Sequence, residues 1–207
     1  MKEIDIKVNL ADHITNTYQD YIMGLEVPFQ FGERRADLVL SNSGKLTAYE
    51  IKTAKDNISR LDYQLDSYKS FFDYCFVVCE KTNLKEVRKK TPKSVGILVA
   101  SQSSISWVRK SKNFKMHNKI TLCSTLDVKS LKEKAKDKKI KSKHELCKHI
   151  SSIYSLEDIR RWSRLDFDKK YRTSSYLVKI EKGEKISKDD IYTLTKKSPE
   201  KLVRRSS

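Results

Sequence analysis

The chain has 207 residues, 38% hydrophobic and 34% charged, with only five Gly and three Pro. That is enough apolar content for a core and excludes a collagenous or largely disordered chain. No uncharged stretch approaches a bilayer span, and the charged opening Met1-Lys2-Glu3-Ile4-Asp5 does not read as a secretory leader. A cytoplasmic protein without a membrane partner is therefore expected. The formal charge is +17 and unevenly spread. Residues 1–80 carry 9 Lys/Arg and 13 Asp/Glu, and residues 81–207 carry 35 and 14. A strongly basic rear points to a polyanion, nucleic acid before an anionic membrane surface; a solvated lysine-rich surface is the plainer alternative.

In chain order, Leu10, Ile14, Tyr18, Tyr21 and Leu25 follow helical spacing, predicting a helix over 10–24 with Asp12 or Asn9 as cap and Gly24 as its end. Residues 26–31 alternate as a strand, which Pro28 places at a sheet edge or a strand start. Strands follow at 36–41 and 45–53, joined by Asn42-Ser43-Gly44. Ile58, Leu61, Leu65, Tyr68 and Phe72 predict an amphipathic helix over 57–72. Apolar strands at 73–78 and 96–100 complete an α/β core within residues 1–120. Cys75 and Cys79 share a strand face as small buried hydrophobes, and Cys123 and Cys147 do not extend them into a disulfide framework.

Beyond residue 120 the pattern predicts a basic helical subdomain over 121–170. Leu126, Val128, Leu131 and Ala135 suggest one helix, and 145–153 and 156–162 two more. Residues 171–207 read as a small extension, with short strands and a helix start over 180–191 and a loose tail.

One constellation could carry chemistry. If Ser43 and Gly44 form a two-residue turn, Asp37 lies directly opposite Glu50, and Lys52 shares the face of Glu50. Facing carboxylates repel unless a cation lies between them. Mg²⁺ or Mn²⁺ would suit Asp37, Glu50 and the Ile51 carbonyl, with Lys52 orienting a water. A cross-strand ion pair on an exposed hairpin explains the same residues more simply.

The order of these pieces resembles the PD-(D/E)XK nuclease superfamily, and within it a small bacterial family of mostly uncharacterised proteins. The resemblance rests on Glu26, Arg35 to Asp37, Tyr49 to Lys52, Asp56, Arg60, Leu61, Gln64, Phe72 and Asp73; Ala36 replaces the usual proline. It implies a restriction-endonuclease-like core, a central mixed sheet flanked by helices, with a basic helical C-terminal extension. It also implies metal at Asp37 and Glu50 and catalysis by Lys52 with Glu26 and Gln64. Arg34, Arg35 and Arg60 could contact phosphate or simply neutralise Asp37, Glu33 and Asp56. The expected function is a Mg²⁺-dependent endonuclease, a hydrolase of nucleic-acid phosphodiesters in a defence setting. DNA is preferred over RNA, and cutting both strands would need a homodimer or sequential nicking. The alternative is a catalytically inactive nucleic-acid-binding or protein-interaction subunit of a defence or repair assembly.

The lysine-rich stretch Leu131–Ile150 resembles a helix–loop–helix of the SAP type, which binds DNA backbone. Lys136, Lys138, Lys139, Lys141 and Lys143 are its candidate phosphate contacts. A solvated helical hairpin packed on the core is the alternative. Trp107 and Trp162 could stack on bases or belong to the core.

Overall fold

A computed structural model describes residues 1–137 and 139–197. The chain order is α1 (Glu3–Thr17), β1 (Ile22–Phe29), β2 (Arg34–Asn42), β3 (Lys45–Lys52), α2 (Leu61–Lys69), β4 (Tyr74–Glu80), α3 (Leu84–Lys90), β5 (Gly96–Ala100) and β6 (Ile105–Arg109). It continues with α4 (Lys119–Cys123), α5 (Val128–Ala135), α6 (Lys143–Ile153), α7 (Leu156–Glu181) and α8 (Lys188–Leu194). The strands form one mixed sheet in chain order, β1 to β6. β1–β2, β2–β3 and β5–β6 pair antiparallel, while β3–β4 and β4–β5 pair parallel. Helices α2 and α3 supply the crossovers that parallel pairing requires. An α/β fold with a helix-flanked mixed sheet is thus observed. Among the described residues no helix is long and apolar enough to cross a membrane.

The two faces bury separate cores. One gathers Val39, Ala48, Cys75, Val77 and Ile97 with Leu65 and Tyr68 of α2 and with Leu122, Leu131, Leu146, Ile159 and Phe167 of α4 to α7. The other gathers Leu38, Leu40, Tyr49, Ile51, Phe76 and Leu98 with Ile6, Leu10 and Ile14 of α1 and Ile191 of α8. Helix α7 reaches both, through Phe167 and Tyr171 on one side and Val178 on the other. It covers the β1 edge on the way. The Ser175 hydroxyl accepts from the Met23 N–H at 3.0 Å, satisfying a donor of the edge strand. Gly24 is required there, because a Cβ would stand 2.7 Å from the Tyr171 ring.

Several sequence expectations change. The first helix covers Glu3–Thr17 rather than 10–24, because Ile6, Leu10 and Ile14 form its buried stripe. Asn9 and Asp12 lie inside it; Asp12 accepts from the Ile186 N–H instead of capping. Gly24 belongs to β1, whose alternation mimics helical spacing over Tyr21 to Leu25. β1 ends at Phe29 and is an edge strand, as Pro28 predicts. α2 is shorter than 57–72, and β6 and α4 went unforeseen. The helix expected at 156–162 runs on to Glu181, replacing the strands expected near 180. All four cysteines are free and buried.

Candidate nucleic-acid interface and the buried carboxylates

The β2–β3 hairpin turns through Ser43 and Gly44, both at positive φ (50° and 71°), the geometry of a tight two-residue turn. Its register pairs Leu38 with Tyr49 and so carries Asp37 opposite Glu50. The Asp37 carboxylate accepts from the Ile51 N–H at 2.6 Å. Hence the Ile51 group that meets Asp37 is its amide hydrogen. Glu50 is closed on both oxygens: Lys52 donates to Oε1 at 2.7 Å, and the Tyr68 hydroxyl of α2 donates to Oε2.

Glu26 joins this cluster through a backbone irregularity. Its φ is +53°, and β1 changes face there, with Met23 and Leu25 in one core and Val27 and Phe29 in the other. The Glu26 carboxylate meets Lys7 of α1 and Arg35, the latter at 2.6 Å. Lys7 also holds Glu3 at 2.5 Å. Glu3, Glu26 and Asp37 each bring a carboxylate oxygen within 4.8 Å of the others.

Electrostatics follow from burial. Burial, reinforced by the neighbouring Glu50, pushes the Asp37 carboxyl up to about 8, against the pull of the Ile51 N–H and Lys7. Burial also opposes the Lys7 ammonium, but hydrogen bonds to Glu26 and Glu3 outweigh it and hold its pKa above the usual lysine range. Near pH 7 Asp37 is therefore protonated. Glu3, Glu26 and Glu50 are then matched one for one by Lys7, Arg35 and Lys52.

Carboxylate oxygens are the right donors for Mg²⁺ or Mn²⁺. In this structure the oxygens of Glu50 meet Lys52 and Tyr68, and the Glu26 carboxylate pairs with Lys7 and Arg35. Glu3, Glu26 and Asp37 nonetheless bring oxygens close enough together to share a cation. The side-chain donors that meet these carboxylates are Lys7, Arg35, Lys52 and Tyr68. Two of those, Lys7 and Tyr68, went unnoticed in the sequence, although Glu3 and Lys7 have ion-pair spacing on one helix and Tyr68 follows Gln64 by one turn.

Lys52, Arg60 and Gln64 are brought together in an outer cleft of about 450 Å³, with Arg34, Asn57, Ser59 and Tyr63. The Arg34 guanidinium lies 4.6 Å from the Tyr63 ring centre. Glu26, Asp37 and Glu50 do not line this cleft. Arg35 is tied to Glu26 while staying largely exposed.

The basic rear is built differently. Asp127 caps α5 by accepting from the Ser130 N–H at 2.7 Å, and Leu131, Ala135, Leu146, Cys147 and Ile150 turn α5 and α6 onto the core. A loop joins them, opening at Lys136, which ends α5 in the left-handed region. Lys129, Lys132, Lys136, Lys139, Lys141 and Lys148 are exposed, and none makes an ion pair among the described residues. Lys143 is half-buried, and burial pushes its ammonium below the usual lysine range. Lys138, also expected at this surface, lies outside the described residues. Trp162 is occupied by packing: Tyr154 meets it edge-on at 4.8 Å and Lys134 lies 4.2 Å from its ring centre. Trp107 remains 49% exposed.

Residues 1–195 match the family described as Bacteriophage P4 protein cII. Protein cII of Enterobacteria phage P4 is 34% identical over 213 residues, covering 95% of this chain and 78% of that protein. A solved protein of unknown function from Silicibacter pomeroyi shares 19% identity over 54% of this chain and 72% of its own, with a TM-score of 0.44. The match to cII runs through the Asp37–Lys52 hairpin and the basic rear alike, and it corrects the sequence reading. The PD-(D/E)XK superfamily assignment is overturned, and with it the Mg²⁺-dependent phosphodiesterase activity and the hydrolase role in defence. The Asp and Glu-x-Lys pattern is short, and the fold uses those residues in a self-neutralising network.

Proposed function

The chain belongs to the bacteriophage P4 protein cII family, and we propose that it binds DNA without cleaving it, through the exposed lysines of α5, its following loop and α6. The observation that carries this reading is the set of exposed lysines on one helix–loop–helix with no ion-pair partner among the described residues. Unpaired surface ammonium groups neutralise phosphates and release condensed counterions, which drives association with little base preference. In this reading residues 121–170 supply affinity, the sheet core of 1–120 supports them, and the protein acts in the cytoplasm. RNA is the secondary partner. Arg35 is not a principal phosphate contact, being tied to Glu26, whereas Arg60 stays available in the outer cleft. Any Mg²⁺ or Mn²⁺ taken up at Asp37 and Glu50 has a structural role here.

The test is a salt series on a DNA duplex. Changing Lys136, Lys139, Lys141 and Lys143 to Gln should weaken binding and flatten the log–log slope by about 0.9 for each phosphate no longer neutralised. Equal slopes for variant and wild type would reduce this surface to a solvated face. A homodimer is part of the same proposal, supported by Leu165, Tyr176 and Ile180, which stay exposed along α7. Sedimentation of a Tyr176→Glu, Ile180→Glu variant is its check, with a shift to monomer expected.

A further inference from the structure

On the sheet face packed by α1, an aromatic row crosses from β3 to β6. Tyr49 and Phe76 stack at 5.5 Å with an interplanar angle of 18°, and Phe76 meets Trp107 at 5.2 Å and 82°. The row bridges β5 because Gly96 has no side chain; a Cβ there would stand 2.1 Å from the Phe76 ring. Tyr49 and Phe76 are buried, so the floor is rigid, while about half of Trp107 is open. The two rings at 82° form a corner. Tyr18, Tyr74, Asn42 and Thr47 continue the walls of a groove of about 520 Å³.

Charge distinguishes this groove from an ordinary apolar cleft. Lys45 and Lys110 line it, and no Asp or Glu does. It also borders the longest acid-free part of the chain: residues 87–126 contain nine Lys/Arg and no Asp/Glu. Lys110, Lys112 and Lys115 of that stretch are exposed. An open indole above a rigid aromatic floor, flanked by ammonium groups, matches a flat uncharged ring carried on a polyanion. Within duplex DNA both faces of a base are already stacked, so such a ring must be unpaired.

We propose that Tyr49, Phe76 and Trp107 form a stacking platform for one unpaired base of a nucleic-acid strand, with Lys45 and Lys110 at its flanking phosphates. This rests on the nucleic-acid-binding reading above and adds a second, strand-specific site, built on the sheet face opposite the core that α5 and α6 join. Trp107 reads the π-face and the lysines the backbone, so stacking confers preference for single strands without base identity.

The experiment uses the full chain with three labelled probes: a single-stranded oligodeoxynucleotide of about 12 residues, its abasic counterpart, and a duplex. Wild type should favour the intact strand over the abasic one. Trp107→Ala should weaken intact-strand binding roughly 5- to 100-fold, abolish that preference, and leave abasic and duplex affinities unchanged. Trp107→Phe, which keeps an aromatic face, should retain most of the preference. An intact-to-abasic ratio that is the same in wild type and Trp107→Ala overturns the platform. Equal losses on strand and duplex overturn it as well, by placing Trp107 in a general interface. Wild-type protein that binds the duplex but does not distinguish intact from abasic strand sinks the platform alone. Protein that binds none of the three probes sinks the nucleic-acid reading itself.

Discussion

Asp37 is the residue most altered by its surroundings. Its carboxyl keeps a proton in the folded protein up to about pH 8, whereas the unfolded chain releases it near 4. Between those values the folded state binds more protons, so this group costs stability progressively as pH rises from about 4 to about 8. Asp37→Asn mimics the protonated form and can still accept from the Ile51 N–H. Its stability advantage over wild type should therefore be small near pH 4 and largest above pH 8. Urea unfolding at pH 5, 7 and 9 measures this. Parallel stability curves would show that the carboxyl ionises like one at the surface.

At the scale of elements, the joint between α7 and the sheet rests on one buried charge pair. Arg164 donates from Nε and Nη2 to Asp73 Oδ2 at 3.2 and 2.9 Å, and from Nη2 to the Phe71 carbonyl at 2.8 Å. The same Asp73 oxygen accepts from the Leu46 N–H at 2.8 Å, so the pair reaches β3. Removing one partner strands a buried charge, and Arg164→Ala should destabilise the protein by about 3–5 kcal/mol. The Asp73→Ala, Arg164→Ala double variant should lose less than the two single losses combined. Additive losses in a denaturant series would mean that the two side chains do not share their energy. The nuclease resemblance includes Phe72 and Asp73 among its residues; the fold uses Asp73 to dock a helix 91 residues away.

For the whole molecule, the acidic front and basic rear are not separable in their packing. Leu122, Leu131, Leu146, Ile159 and Phe167 lie in the same core as Ala48, Cys75 and Val77. A fragment of residues 1–120 would expose that sheet face and the β1 edge to water. It should show no cooperative thermal transition and should bind a hydrophobic dye. A sharp transition at the wild-type midpoint would establish the front as an independent unit.

The sequence by itself determined what depends on neighbours along the chain. The β2–β3 hairpin was legible because Ser43-Gly44 sets the turn and the turn sets the register, which is why Asp37 faces Glu50. The edge position of β1 was legible from Pro28, and α5 and α6 from their apolar spacing. The charge asymmetry needed no structure at all. Tertiary structure decided what depends on partners far along the chain. The length of α7 was hidden because Tyr171, Ser174 and Ser175 give no long apolar stripe; their burial makes sense only against Gly24 and Met23. The turn of Glu26 toward Lys7, and the closure of Glu50 by Tyr68, were equally invisible. Spacing can bring carboxylates to one face, but the donors that meet them also come from the helices that pack there: α1 supplies the Lys7 ammonium and α2 the Tyr68 hydroxyl.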